Sequence, residues 1–222
     1  MNEAQFDALR ERMLAAVAIH VTLAADEIGR TMLDPRVLEA MARVPRHEFV
    51  PVELQPFAYE NMPLPIGFGK TISQPFIVAL MTDLLDPQVG EAVLEIGTGL
   101  GYQAAILAEL AGRIWSVEIV EELATEAERR LRRRGYRNVE IRIGDGSGGW
   151  GEHAPFDKIM VCAAPELVPP ALIHQLKPGG RMVLPAGLPE SQSLMVVDKS
   201  QNGRTQTQEM LAVRFAELET IR

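Results

Sequence analysis
The stretch Val93-Leu94-Glu95-Ile96-Gly97-Thr98-Gly99-Leu100-Gly101-Tyr102-Gln103 constrains the fold more than any other part of this chain. An apolar strand runs into three glycines at alternate positions and then into a helical pattern over roughly Tyr102 to Ala111. Alternate glycines let the backbone turn tightly and approach a ligand closely. The helix that follows points its free N–H groups at that ligand and favours negative charge there. The dinucleotide fingerprint G-x-G-x-x-G requires glycine at position 102, where this chain has Tyr102. A nicotinamide dehydrogenase is disfavoured on that ground.

The elements around this turn alternate. From Pro75 onward the patterning gives a helix over 76–85 and strands over 92–96, 113–118, 139–143, 156–162 and 181–185. A helix over 121–134 closes at Gly135, and Pro178-Gly179-Gly180 reads as a turn before the fifth strand. Segments 194–198 and 206–215 pair as a closing antiparallel hairpin around Asn202-Gly203. Strands alternating with helices predict an α/β, doubly wound, mostly parallel Rossmann-like sheet with helices on both faces. Ligands of such sheets bind at the carboxyl ends of the strands.

The first 74 residues read differently. One amphipathic helix covers 4–29, ending at Gly29, and Asp34-Pro35 starts a second that ends before Pro45. Residues 45–74 hold five prolines together with Gly67 and Gly69, too irregular for long elements. Their apolar residues, Phe49, Phe57, Tyr59, Leu64, Ile66 and Phe68, argue for order. The division expected is an N-terminal helical and Pro-rich segment, 1–74, packed on a cofactor-binding core, 75–222.

Composition excludes several classes. A net charge of −8 argues against general nucleic-acid affinity. One cysteine, Cys162, excludes an internal disulfide framework, and four scattered histidines show no metal-ligand spacing. No metal and no membrane partner are expected, since no apolar run reaches about 18 residues. Residues 13–25 imitate a signal peptide, but Glu3, Asp7 and Glu11 make their flank acidic, so the helix reading and a cytoplasmic location are preferred. The arginines at 129, 130, 132, 133 and 134 end a helix whose first half is acidic, which reads as a solvated helix with complementary ends.

Two further strand ends carry polar signals. Glu118 lies about 20 residues after the glycine turn, where a carboxylate can accept both hydroxyls of a ribose. Asp145, between Gly144 and Gly146, can reach an adenine amino group past a thin wall. Their plainer readings are a solvated strand-end acid and a turn residue. The string Gly67-Phe68-Gly69-Lys70-Thr71 invites a phosphate-loop reading, which fails because position 64 is Leu64 and no strand is expected directly before it. Ser73 as N-cap, Gln74 in the first turn and Pro75 near N1 would start the next helix.

The spacing Gly97-x-Gly99-x-Gly101 with Glu95 before it resembles the first motif of class I S-adenosylmethionine-dependent methyltransferases. Motifs between about Arg43 and Gly187 narrow this. Val44 to Pro51, Pro63 to Gly67, Thr71-Ile72-Ser73-Gln74-Pro75, Gly144 to Gly146, Ala154 to Asp157 and Leu176 to Gly180 resemble the protein-L-isoaspartate (D-aspartate) O-methyltransferases. The specific part is Thr-Ile-Ser-Gln-Pro, placed about 20 residues before the glycine loop.

The resemblance implies transfer of a methyl group from S-adenosylmethionine to the α-carboxylate of isoaspartyl residues in proteins and peptides. Ser73 is implied as the active-site residue. Cofactor contacts are implied for Thr71, Ile72, Gly97, Thr98, Gly99, Gly101 and Ile119, with Glu95 at the ammonium end, Glu118 at the ribose, and Asp145 and Gly146 at the adenine. Pro65, Ile66, Gly67 and Gln74 would hold the peptide. Two features depart from the family pattern: Leu100 in the glycine loop, and Phe215-Ala216-Glu217-Leu218 where an aromatic-Val-Pro-Leu ending is usual. The alternatives are a methyltransferase of this fold acting on another acceptor, and a cofactor-binding relative without turnover.

Overall fold
A computed structural model describes residues 1–221 of the 222. Its core is a seven-stranded sheet built from β3 (Ala92–Ile96), β4 (Arg113–Glu118), β5 (Val139–Ile143), β6 (Phe156–Val161), β7 (Leu176–Leu188), β8 (Ser191–Lys199) and β9 (Thr205–Val213). The order is β5-β4-β3-β6-β7-β8-β9, parallel through β7, with β8 and β9 added antiparallel. The chain starts at β3 and works outward in one direction before crossing to β6. The carboxyl ends of β3 and β6 therefore flank the point where strand order reverses, and a crevice opens there.

Period-two alternation assigns each strand's residues to one of two apolar layers. Val93, Ile114, Met160 and Val183 face one side with α4 (Pro75–Leu85), α5 (Tyr102–Leu110) and α6 (Glu121–Arg133). Leu94, Val117, Ile159, Val161, Met182 and Leu184 face the other, under α7 (Pro170–Gln175) and Trp150. Both faces are covered, as a parallel sheet requires.

The N-terminal segment packs outside the first layer. Helix α1 (Glu3–Leu23) opens with a capping box between Asn2 and Gln5 and buries Phe6, Met13, Val17 and Val21 along one stripe. Phe6 stacks on His47 with ring centroids 3.7 Å apart, and His47 Nδ1 lies 2.8 Å from the Tyr59 hydroxyl. The single helix expected over 4–29 is two: a break at Ala24 separates α1 from the short α2 (Ala25–Ile28), which Gly29 ends in the left-handed region. Asp34 caps α3 (Pro35–Arg43) through the Arg36 N–H at 2.8 Å.

Further sequence expectations are corrected. A two-stranded hairpin, β1 (Leu64–Gly67) and β2 (Lys70–Ile72), does precede and follow the Gly67-Phe68-Gly69 turn. That turn joins two strands rather than a strand and a helix, so it is not a phosphate loop. Ser73 is not the cap of α4: Gln74 holds that position without a side-chain bond, and Asn61 Oδ1 accepts the Phe76 N–H at 3.0 Å instead. The cap comes from a residue distant in sequence, which leaves the Ser73 hydroxyl uncommitted. Strand β7 runs through Pro178-Gly179-Gly180 as an irregularity rather than starting after it. There is no room for a side chain at Gly180, whose Cβ would stand 2.8 Å from the Asp157 carbonyl. Finally β6 ends at Val161, and β9 ends at Val213, so residues 214–221 leave the sheet.

The arginine run is only partly a solvated face. Glu126 accepts from Arg129 and Arg130, but Arg130 also donates to the carbonyls of Glu48 and Val50. It ties α6 to the N-terminal segment. No helix among the described residues is long and apolar enough to cross a membrane.

Candidate active site
A cleft of about 590 Å³ opens at the switch point. This is within the range that takes a cofactor-sized ligand. Gly97 and Gly99 form one wall, and Glu118, Ile119 and Gly146 continue it along the sheet edge. Ile66, Thr71, Ser73 and Gln74 form the opposite wall. A recess of about 50 Å³ extends between Ser73 and the glycine loop, lined also by Ile72, Thr98, Tyr102 and Gln103.

The glycine loop makes this approach possible. Gly97, Gly99 and Gly101 have φ of +88°, +57° and +93°, conformations that L side chains rarely adopt. A Cβ at Gly99 would also stand 3.1 Å from Ile66 Cδ1 on the facing hairpin, so a side chain there would narrow the cleft. At Gly146 a Cβ would lie 2.3 Å from Ile96 Cγ2. The cradle is thin because Gly97 and Gly146 have Cys162 and Ile96 directly behind them.

Glu118 is 5% exposed and holds the loop in shape. Its Oε2 accepts the Gly99 N–H at 2.8 Å and its Oε1 the Val120 N–H at 3.0 Å. Each carboxylate oxygen keeps a further lone pair, so the same group can accept ribose hydroxyls from the cleft.

Five of the sequence-derived candidates lie outside the walls of both spaces. Gly101 caps α5 and faces α6, where its Cβ would meet Leu131 Cδ1 at 3.2 Å. Pro65 and Gly67 are exposed on the outer side of the hairpin. Asp145 spends one oxygen on the Ser147 N–H at 2.8 Å and the other on the Ile221 N–H at 3.0 Å. Glu95 is 0% exposed beneath the loop; one oxygen accepts from Ser116 Oγ, which lies 2.6 Å from Thr98 Oγ1, and Oε1 has no partner among the described residues.

Burial, chiefly, and then the nearby Glu118 push the Glu95 carboxyl up to about 8, against the partial relief of its Ser116 hydrogen bond. The unfolded chain loses this proton at about 4.5 and the folded chain at about 8. The Glu95 contribution to stability is therefore full below the lower value and is lost as pH rises through the upper one. Glu95→Gln, neutral at every pH, is expected to give a flatter stability curve between these limits. Urea unfolding at pH 5 and pH 8 measures this, and an unchanged pH dependence would sink it.

Sequence reasoning missed one side of the cleft. His20 of α1 and Lys70 reach its rim, Cys162 stands behind Gly97, and residues 211–219 line it along a whole edge. The tail is held by Ala164, whose N–H donates to the Ala216 carbonyl and whose carbonyl accepts the Leu218 N–H, both at 2.8 Å. Lys70 pairs with Glu219 across the mouth. The only advance sign was the unusual Phe215 to Leu218 stretch; nothing local in it says that the chain folds back over the crevice.

Comparison with known proteins agrees with this geometry. The sequence profile of the protein-L-isoaspartate(D-aspartate) O-methyltransferases matches residues 18–221. The chain is 58% identical over 219 residues to protein-L-isoaspartate O-methyltransferase 1 of Polaromonas sp., covering 99% of this chain and 93% of that protein. A solved protein-L-isoaspartate O-methyltransferase is 28% identical with a TM-score of 0.79; the match covers 94% of this chain and spans 65% of that one. A Plasmodium falciparum structure described as a beta-aspartate methyltransferase in complex with S-adenosyl-L-homocysteine has a TM-score of 0.77 at 21% identity, covering 96% of this chain and 97% of that one. This chain belongs to the protein-L-isoaspartate(D-aspartate) O-methyltransferase family.

Proposed function
We propose that this chain repairs damaged proteins and peptides by methylating the α-carboxylate of their L-isoaspartyl and D-aspartyl residues. The observation that carries this reading is the meeting of Ser73 with Gly97 and Gly99 across one cleft. S-adenosylmethionine, the cofactor of this family, supplies an activated methyl group when bound. The cleft fits it: a glycine wall backed by Cys162 and Ile96, a strand-end carboxylate for its ribose, and a recess under the start of α5.

The remaining demands fall on this chain's residues. An acceptor carboxylate has a reference pKa of about 4, so it is ionised at neutral pH and needs no strong base. The protein must place one carboxylate oxygen in line with the methyl group and exclude water. Ser73, uncommitted to helix capping, is placed to donate its hydroxyl to that carboxylate and orient it. Thr71, Ile66 and Gln74 on one side and the tail from Leu211 to Glu219 on the other form the groove for the flanking peptide. Extended peptides in such grooves are held largely through their backbones, which suits acceptors of varied sequence.

At the far end, Gly146 and Ile119 shape the adenine space. Asp145 can take the adenine amino group only if that group joins or replaces its bond with the Ile221 N–H. Residues 1–74, joined by the tail from Leu211 to Glu219, then form the acceptor side, and the rest of residues 75–221 the cofactor side.

The test is methyl transfer from labelled S-adenosylmethionine to an isoaspartyl peptide, with the matched aspartyl peptide as control. Label on the isoaspartyl peptide alone is expected. Cofactor binding with label on neither peptide would defeat the acceptor assignment.

A further inference from the structure
The motif Val44 to Pro51 places a whole arginine side chain in the interior of the protein. Arg46, at the start of a 3-10 turn over Arg46–Phe49, is 0% exposed. Its Nε donates to the Ala58 carbonyl at 2.8 Å and one terminal nitrogen to the Ser73 carbonyl at 2.6 Å. Its guanidinium carbon lies 4.9 Å from the centroid of the Tyr102 ring, whose face favours a cation. The other terminal nitrogen and the Tyr102 hydroxyl have no partner among the described residues.

Two features of this arrangement point to the acceptor. The first is the absence, among the described residues, of a carboxylate paired with Arg46. An isolated buried cation is costly, and interiors ordinarily pair such charges. Burial draws Arg46 down only to about 10, so it stays cationic at neutral pH. The second is position. Of the three residues in contact with the guanidinium, Tyr102 and Ser73 line the recess between the hairpin and the glycine loop, and Ala58 lies outside it. The charge sits directly behind the place where an anion would meet the cofactor.

We infer that Arg46 is a positioning residue for the acceptor. It fixes the Ser73 carbonyl from behind, and so aims the hydroxyl, while its uncompensated charge favours an anionic group at this end of the cleft. The planar guanidinium bridges two carbonyls that an ammonium cannot bridge in the same way. The inference rests on the acceptor assignment above.

The test compares wild type, Arg46→Met and Arg46→Lys in three measurements: KM and kcat for an isoaspartyl peptide, the Kd for S-adenosylhomocysteine by calorimetry, and the melting temperature. Arg46→Met is expected to raise the peptide KM about 10- to 100-fold while the S-adenosylhomocysteine Kd stays within about twofold, because Arg46 hydrogen-bonds Ser73 on the acceptor wall and none of the residues assigned to the cofactor. Arg46→Lys, which keeps the charge but not the bridge between the Ala58 and Ser73 carbonyls, is expected to recover only part of the peptide KM. Unchanged peptide KM in a folded Arg46→Met, or parallel loss of peptide and cofactor affinity, would overturn the inference. So would a chain that folds with neither replacement, since Arg46 would then serve folding alone. A wild type without turnover on the peptide would instead overturn the acceptor assignment, and this inference with it.

Discussion
Ser73→Ala lowers kcat/KM for an isoaspartyl peptide by about 10- to 100-fold, the worth of a hydrogen bond to a charged group at about 1.5–3 kcal/mol. The S-adenosylhomocysteine Kd changes little, since the cofactor side of the cleft is built by other residues. Stability is also expected to hold. Helix α4 takes its side-chain cap from Asn61 rather than Ser73, so the alanine removes no cap bond. This separation makes the variant informative: a residue that both capped α4 and oriented substrate would confound the two losses. Steady-state kinetics with a calorimetric titration decide it. An alanine variant with wild-type kcat/KM would remove Ser73 from the site.

Glu118→Ala is expected to have the larger effect, and on the cofactor rather than the acceptor. The substitution strands the Gly99 and Val120 N–H groups that the carboxylate now satisfies. Each of these half-buried donors costs up to about 1–3 kcal/mol when it loses its partner, and the ribose loses its acceptor as well. The S-adenosylhomocysteine Kd should rise about 100-fold or more, with the melting temperature falling by roughly 2–8 °C. Glu118→Gln keeps one acceptor but presents its amide donors to an N–H group, so an intermediate loss is expected. Calorimetry and thermal unfolding measure both variants. Retained affinity in Glu118→Ala would show that the ribose is held elsewhere and that the loop keeps its shape unaided.

These two residues also show how differently site information is carried. Glu118 was legible because parallel sheets are regular: a strand end about 20 residues after a glycine turn returns to the same crevice whatever the intervening helix contains. Ser73 was legible by resemblance, but its local reading as a helix cap was wrong. Capping propensity is a statement about near neighbours, and the fold brings Asn61, 15 residues from Phe76, to the Phe76 N–H instead. Glu95 and Gly101 illustrate the converse. Both belong to the glycine motif, yet one is buried under the loop and the other spaces α5 from α6. A motif records which residues a turn needs, not which of them face the ligand.

The sequence by itself determined the alternation of strands and helices, the glycine turn at the first strand of the sheet, the three strand-end signals and the mixed character of residues 1–74. These follow from period-two and helical patterning and from backbone chemistry, which act over a few residues. Tertiary structure decided what covers the crevice. The passage of residues 211–219 along the cleft depends on Ala164, Gln192, Lys70 and Asp145, each distant in sequence from the tail it holds. Likewise Arg46 reads as one charged residue in an irregular segment until the fold buries it and sets it behind Ser73. Hydrogen bonds and uncompensated charge between segments far apart in sequence leave no local period to read, so these parts of the site exist only once the chain has closed on itself.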